Sequence, residues 1–262
     1  MNPERGEVWF PEDQRSQWFQ ERYDQASAQI VDFFGSSFFG LTGKAVADVG
    51  CGDGIIDLGV FRRAAPSRLV GFDRRPTDPL LLSRIAAEEG HPGQLPAGLE
   101  FRTSSAEELD AEDESFDFVF SWSAFHHLEN PRGAIREIKR ILRPEGALMI
   151  QVYPLFSSPH GSLLEHWYPE GFAQLMRGEE EISATVLSNP GEDPAWARHL
   201  LESHRKLNRL NLDELGLMLT EGGFRVVRLQ VIGEDAPIPP EVAGRPLSQL
   251  GIGGVKLLAV RG

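Results

Sequence analysis

Between Ala45 and Gly54 the chain reads AVADVGCGDG, an apolar run that ends on an acid and breaks into three glycines at alternate positions, Gly50, Gly52 and Gly54. A turn without Cβ atoms lets a ligand approach bare backbone. Further on, VGFD ends on Asp73, a carboxylate able to accept both hydroxyls of a ribose. A ligand-free strand-to-helix turn would carry a glycine pair equally well. The glycine turn and the acid one strand away together point to an adenosine ligand. The loop is G-C-G-D-G and not G-x-G-x-x-G, with Asp53 where a pyrophosphate would sit. It therefore disfavours a dinucleotide and tolerates a ligand with an amino group and a positive sulfur.

Other reactive side chains stand near the ends of apolar runs. His126 and His127 follow FDFVFSW, placed by position to take a proton as general base. The competing role is packing or capping, because a helix carrying AFHHL buries one face. His160 and His166 lie later in the chain. Cys51, the single cysteine, has no base beside it in sequence and is expected to be a small buried residue of the turn.

These groups need a scaffold, and the periodicity supplies one. From Ala45 to about Val152, apolar runs AVADV, RLVGFD, LEFRT, FDFVFSW and ALMIQVY alternate with helical stretches in GIIDLGVFRRAA, around LLLSRIAAEEG, and in NPRGAIREIKRILRPEG. That is the pattern of a parallel sheet with helices on its faces, whose ligands bind beyond the carboxyl ends of the strands. Pro144 and Gly146 are expected to end the third helix. Residues 154–210 break the rhythm, with patchy helical pattern and no obvious strand. A helix in LNLDELGLMLTEGGF, a strand FRVVRLQVI and a terminal strand GVKLLAVRG follow.

The chain has 262 residues, 41% hydrophobic and 25% charged, enough for one substantial core. A net charge of -13 without a basic run argues against a nucleic-acid partner. The N-terminus has no signal-peptide core and no apolar run spans a bilayer, so a soluble protein of a reducing cytoplasm is expected.

In their order and spacing, VADVGCGDG, VGFD, SSAEELD, FDFVFSWSAFHHLENP and REIKRILRPEGALMI resemble the class I S-adenosylmethionine-dependent methyltransferases over about Ala45 to Tyr153. The resemblance implies an α/β, Rossmann-like three-layer sandwich. Its mostly parallel seven-stranded sheet would have an antiparallel last strand, an N-terminal helix and an insertion after the fifth strand. The division expected is an N-terminal helical cap (1–44), a cofactor-binding core (45–153), an insertion serving as substrate lid (154–210) and the rest of the core sheet (211–262).

By the same resemblance, the loop Gly50, Cys51, Gly52, Asp53 and Gly54 passes along the methionine part of S-adenosyl-L-methionine. Asp48 fixes the loop or the amino group, and Asp73 holds the ribose. Arg74 flanks the adenine, with Ala106 and Glu107 beside it; the alternative for Glu107 is an acid in a helix first turn. Ser121 and Trp122 border the methyl group, with His127 or His126 as base.

Departures from related families narrow the chemistry. After the fourth strand stand Ser121, Trp122 and Ser123, in place of the acids of a metal-dependent or aminopropyl-transferring enzyme, or the Asn or Asp before Pro-Pro of an enzyme acting on base or amide nitrogens. A metal-free transfer to a small molecule is expected, the accepting atom being undetermined. A protein methyltransferase and a non-catalytic cofactor-binding protein are the alternatives. Phe156, Trp167, Tyr168 and Trp196 would either line an acceptor pocket or form the insertion's own core. Trp18, Phe19, Tyr23, Ile30 and Phe33 give the N-terminal stretch an apolar helix face, as a lid or a packed helix.

Overall fold

A computed structural model describes residues 15–188 and 193–262. Residues 1–14, part of the expected N-terminal cap and of the segment read for a leader, and 189–192 of the insertion lie outside the described residues.

Seven strands form one sheet: β1 (Ala45–Val49), β2 (Arg68–Asp73), β3 (Leu99–Thr103), β4 (Phe116–Trp122), β5 (Leu142–Val152), β6 (Phe224–Gly233) and β7 (Ile252–Arg261). Their order is β3-β2-β1-β4-β5-β7-β6. The first five pair in parallel, while β7 runs antiparallel to both β5 and β6. The order reverses at β1 and β4, and such a switch point opens a crevice at the strands' carboxyl ends.

Alternation along the strands makes the three layers. Ala47, Val49, Val119, Leu148 and Ile150 face α5 (Pro131–Ile141) and α9 (Leu212–Glu221), which supply Ile135, Ile138, Leu215 and Leu219. On the other face Val46, Leu69, Phe118, Phe120 and Met149 meet α2 (Ser27–Gly35), α3 (Ile55–Ala64) and α4 (Pro79–Glu88) through Ile30, Phe34, Leu58 and Leu82. Ahead of α2, α1 (Arg15–Gln20) runs into a π-helical stretch, Glu21–Ala26.

Two local readings change. Helix α5 stops at Ile141, before Pro144 and Gly146, and the chain enters β5 at Leu142. Proline disfavours helical backbone at the residue before it, and the helix has already ended one residue earlier still. AFHHL forms one 3₁₀ turn, Phe125–His127, and not a longer helix.

The insertion carries α6 (Ala173–Met176), α7 (Glu179–Leu187) and α8 (Pro194–Arg205). Leu164, Tyr168, Ile182, Val186 and Leu201 form a small core of its own, with Trp167 packed against it. The aromatic rings of Trp167 and Trp196 pack together, 4.9 Å apart, within this subdomain. No helix among the described residues is long and apolar enough to cross a membrane.

Candidate functional site

The glycine loop leaves β1 in the left-handed region, with φ of 92° at Gly50, 56° at Gly52 and 77° at Gly54. A Cβ on Gly50 would collide with that of Ala124, and one on Gly54 would come 2.6 Å from the Phe101 ring, whereas the same position on Gly52 is open. Two of the glycines are thus fixed by packing as well as by backbone conformation. Gly50 and Cys51 donate their N–H groups to Phe72 O at 2.8 and 3.1 Å, and Gly52 donates to Asp73 Oδ2 at 3.0 Å. These three amides are engaged within the protein.

Asp73 therefore ties the loop to the cleft wall. Its Oδ1 accepts from Arg75 N at 2.9 Å. A carboxylate offers about four acceptor positions. Two are used by these backbone donors, and the group lines a cleft of about 950 Å³ beyond the strand ends.

Gly50, Cys51, Gly52, Asp53, Asp73, Arg74, Ala106, Glu107, Trp122 and His127 all line that cleft. Asp48, Gly54, Ser121 and His126 do not; they lie behind its wall. Ser121 Oγ donates to Val49 O at 2.7 Å, tying β4 to β1. Asp48, 2% exposed, lies beneath the loop beside the fully buried Asp57. Burial lifts both carboxyls well above the usual range, and their mutual charge raises Asp48 further. Asp48 Oδ1 and both Asp57 oxygens lack a donor among the described residues. Cys51 is buried, its thiol also raised by burial and by Asp57, as expected of a residue that packs and does not react.

Elsewhere on the cleft wall, Glu107 lies in a tight turn closed by Glu108 N to Ser105 O, so it is not a helix first-turn acid. Its Oε1 accepts from Asn130 N at 3.1 Å, at the start of α5. Arg74 pairs with Glu129 at 3.0 Å.

At the floor, the two histidines of the 3₁₀ turn pack ring against ring, 4.2 Å between centroids, and only His127 lines the cleft. His126 is 3% exposed, and burial and His127 lower it to about 3. His127 reaches the cleft; burial, then Arg74, Arg75 and His199, lower it to about 4, so its imidazole is neutral at pH 7. Tyr153, pushed up to about 12 by burial and by Glu234, is a poor base there.

Residues that the motifs did not disclose complete the walls. Trp18, Arg22, Gln25 and Gln29 come from the N-terminal helix, and His199, Glu202, Ser203 and Lys206 from α8 and its end. The α8 residues recur at helical spacing, a polar stripe opposite the face that buries Ala197 and Leu201. That stripe was the available signal. The end of the insertion is anchored beside His127: Asn208 Nδ2 donates to Phe125 O and Leu128 O at 2.7 and 2.9 Å. Of the four aromatics weighed as acceptor pocket or insertion core, none lines the cleft, and Tyr168 and Trp167 pack in the insertion's own core. Phe19, Tyr23, Ile30 and Phe33 are packed in the core, and Trp18 reaches the cleft.

Residues 47–150 match the family model described as a methyltransferase domain. A ubiquinone biosynthesis O-methyltransferase of Hahella chejuensis is 31% identical over 160 residues, 60% of this chain and 62% of that protein. A phthiotriol/phenolphthiotriol dimycocerosates methyltransferase of Mycobacterium tuberculosis is 30% identical, over 63% of this chain and 57% of that one. The chain thus spans less than two thirds of these relatives. Among solved structures, a SAM-dependent methyltransferase from Methanosarcina mazei superposes with a TM-score of 0.53 at 19% identity, covering 87% of this chain and 96% of its own. The [4+2]-cyclase SpnF superposes with a TM-score of 0.52 at 18% identity, covering 95% and 80%; at such identities the likeness shows the fold. With the sheet order and the glycine loop in hand, residues 47–150 match a methyltransferase domain, and the chain is similar in sequence and fold to S-adenosylmethionine-dependent methyltransferases.

Proposed function

We propose that the cleft binds S-adenosyl-L-methionine and that the protein methylates a small polar molecule without a metal. The observation that carries this is Asp73: a carboxylate fixed by Gly52 N and Arg75 N, with acceptor capacity left on the cleft side for two ribose hydroxyls. Ala106 and Glu107 are assigned to the adenine, Gly50 to Asp53 to the methionine part, with Asp48 supporting the loop from below. The bound cofactor supplies a methyl carbon already activated by a positive sulfur. The chain's own contribution is then positioning and proton removal. Trp122 borders the methyl group, and the neutral imidazole of His127 is the base for an acceptor that arrives protonated.

A cleft of about 950 Å³ has room for the cofactor and a small acceptor. Its outer wall is the α8 stripe of His199, Glu202, Ser203 and Lys206, with no aromatic of the insertion, which supports a polar acceptor. The insertion walls the cleft without filling it, which favours catalysis over a cofactor-binding role alone. The acidic surplus supports a set of partners without nucleic acid, and the single thiol suits the cytoplasm.

Calorimetric titration tests the cofactor: S-adenosylhomocysteine should bind, and NAD should bind far more weakly. Incubation of the protein with methyl-labelled cofactor and a metabolite extract should then label a small molecule. Tighter binding of NAD, or label found only on protein, would overturn the proposal.

A further inference from the structure

We infer that Gln151 donates a hydrogen bond to the methyl acceptor and that the accepting atom is oxygen. This rests on the function proposed above. Gln151 stands at the carboxyl end of β5 in register with Trp122 of β4, is 5% exposed, and lines the cleft. Its side-chain oxygen accepts two hydrogen bonds from one residue, Ser123 N at 2.9 Å and Ser123 Oγ at 2.8 Å. Ser123 N also donates to Gln151 O at 3.0 Å.

That arrangement fixes which way the amide points. A backbone N–H can only face the carboxamide oxygen, so the NH₂ group lies on the other side. No described residue accepts from that Nε2, and it is not among the buried unpaired atoms. Its open side is the cleft. Ser123 holds this orientation at φ 50°, a left-handed conformation uncommon for a residue with a Cβ. Backbone in such a region persists where surrounding contacts impose it, and it gathers at functional sites.

The donor's chemistry selects the nucleophile. An atom that attacks carbon while accepting a hydrogen bond needs a second lone pair. A hydroxyl or carboxylate oxygen has one; sulfur has one too but is a weak hydrogen-bond acceptor, a neutral amine has a single pair, which the donor would occupy, and a carbon nucleophile has none to spare. In the step, the acceptor oxygen forms a bond to the methyl carbon as the carbon–sulfur bond breaks. The bonding pair returns to sulfur, and a hydroxyl proton passes to His127. Gln151 holds the oxygen in line, and Ser123 is the positioning residue for Gln151.

Wild-type protein incubated with ¹³C-methyl S-adenosylmethionine and a metabolite extract should give a product whose methyl carbon resonates as a methyl on oxygen. Gln151→Glu keeps an oxygen for Ser123 and replaces the donor by a second acceptor oxygen, at the cost of a buried carboxylate. It should lower kcat/KM on the same extract by about a hundredfold or more, while the variant remains folded and S-adenosylhomocysteine affinity stays at the wild-type value. A methyl on nitrogen, sulfur or carbon, or undiminished transfer by Gln151→Glu, overturns the inference and leaves the methyltransferase proposal standing. Failure of the wild type to bind S-adenosylhomocysteine overturns that proposal itself.

Discussion

The indole of Trp18 donates to Asp53 Oδ2 at 2.9 Å, fastening the first described helix to the glycine loop 35 positions away. Asp53 Oδ1 accepts from Ile55 N at 3.1 Å, and Arg22 Nε lies 3.7 Å from Oδ2 with its guanidinium over the Trp18 ring. One carboxylate therefore caps the loop and latches the helix that walls the cleft. Trp18→Phe removes the donor and should weaken S-adenosylhomocysteine binding about fivefold, the value of one hydrogen bond of about 1 kcal/mol. Hydrogen exchange over residues 15–26 should quicken; unchanged exchange would show that the latch does not hold the helix.

Asp73 ties the loop to β2 and faces the cleft, so its loss acts on both. Asp73→Ala should weaken cofactor binding by about 2 to 4 kcal/mol through two charge-assisted hydrogen bonds. A calorimetric titration at wild-type affinity would refute the ribose assignment.

His127 is held at about 4 by burial and the neighbouring cations. A general base acts when unprotonated, so the rate should persist as pH falls below the ordinary histidine range near 6.5 and decline only as pH approaches about 4. His127→Gln should lower the rate about a hundredfold or more with cofactor affinity retained. An acid limb centred near 6.5, or a loss of fold in that variant, would count against the assignment.

The pair Asp48 and Asp57 has the opposite sign. Their folded carboxyls are raised above the unfolded value near 3.9, so the folded state holds more protons, and stability falls as pH rises through the raised values. Asp57→Asn removes one titrating member while keeping the shape. Its thermal midpoint relative to wild type should improve from pH 5 to pH 8. A midpoint difference that does not change with pH would show that the pair is not protonated in the fold.

The strands, the glycine turn, the acid at the end of β2 and the helix-sheet alternation were legible in the chain, because periodicity and turn chemistry are properties of neighbours in sequence. The stop of α5 was misplaced by a few residues for a related reason: Pro144 and Gly146 mark the breakdown of helix, and the sheet pairing of Leu142 with Phe116 begins earlier. Which of two adjacent histidines lines the cleft is decided by how the 3₁₀ turn seats them: their rings stay packed together at 4.2 Å, and only His127 lies at the cleft wall.

What the tertiary structure alone decided are the long-range meetings. Trp18 reaches Asp53, Asp57 comes beside Asp48, α8 and its end bring His199 and Lys206 to the cleft that His127 lines, and Ser123 orients Gln151. Ser123 lies in the segment after the fourth strand and Gln151 in no motif, and they meet only because β4 and β5 pair in one register. A sequence lists the donors and acceptors, but their direction is set by strand pairing and by backbone conformation at single residues, and the chemistry of the acceptor side follows from direction.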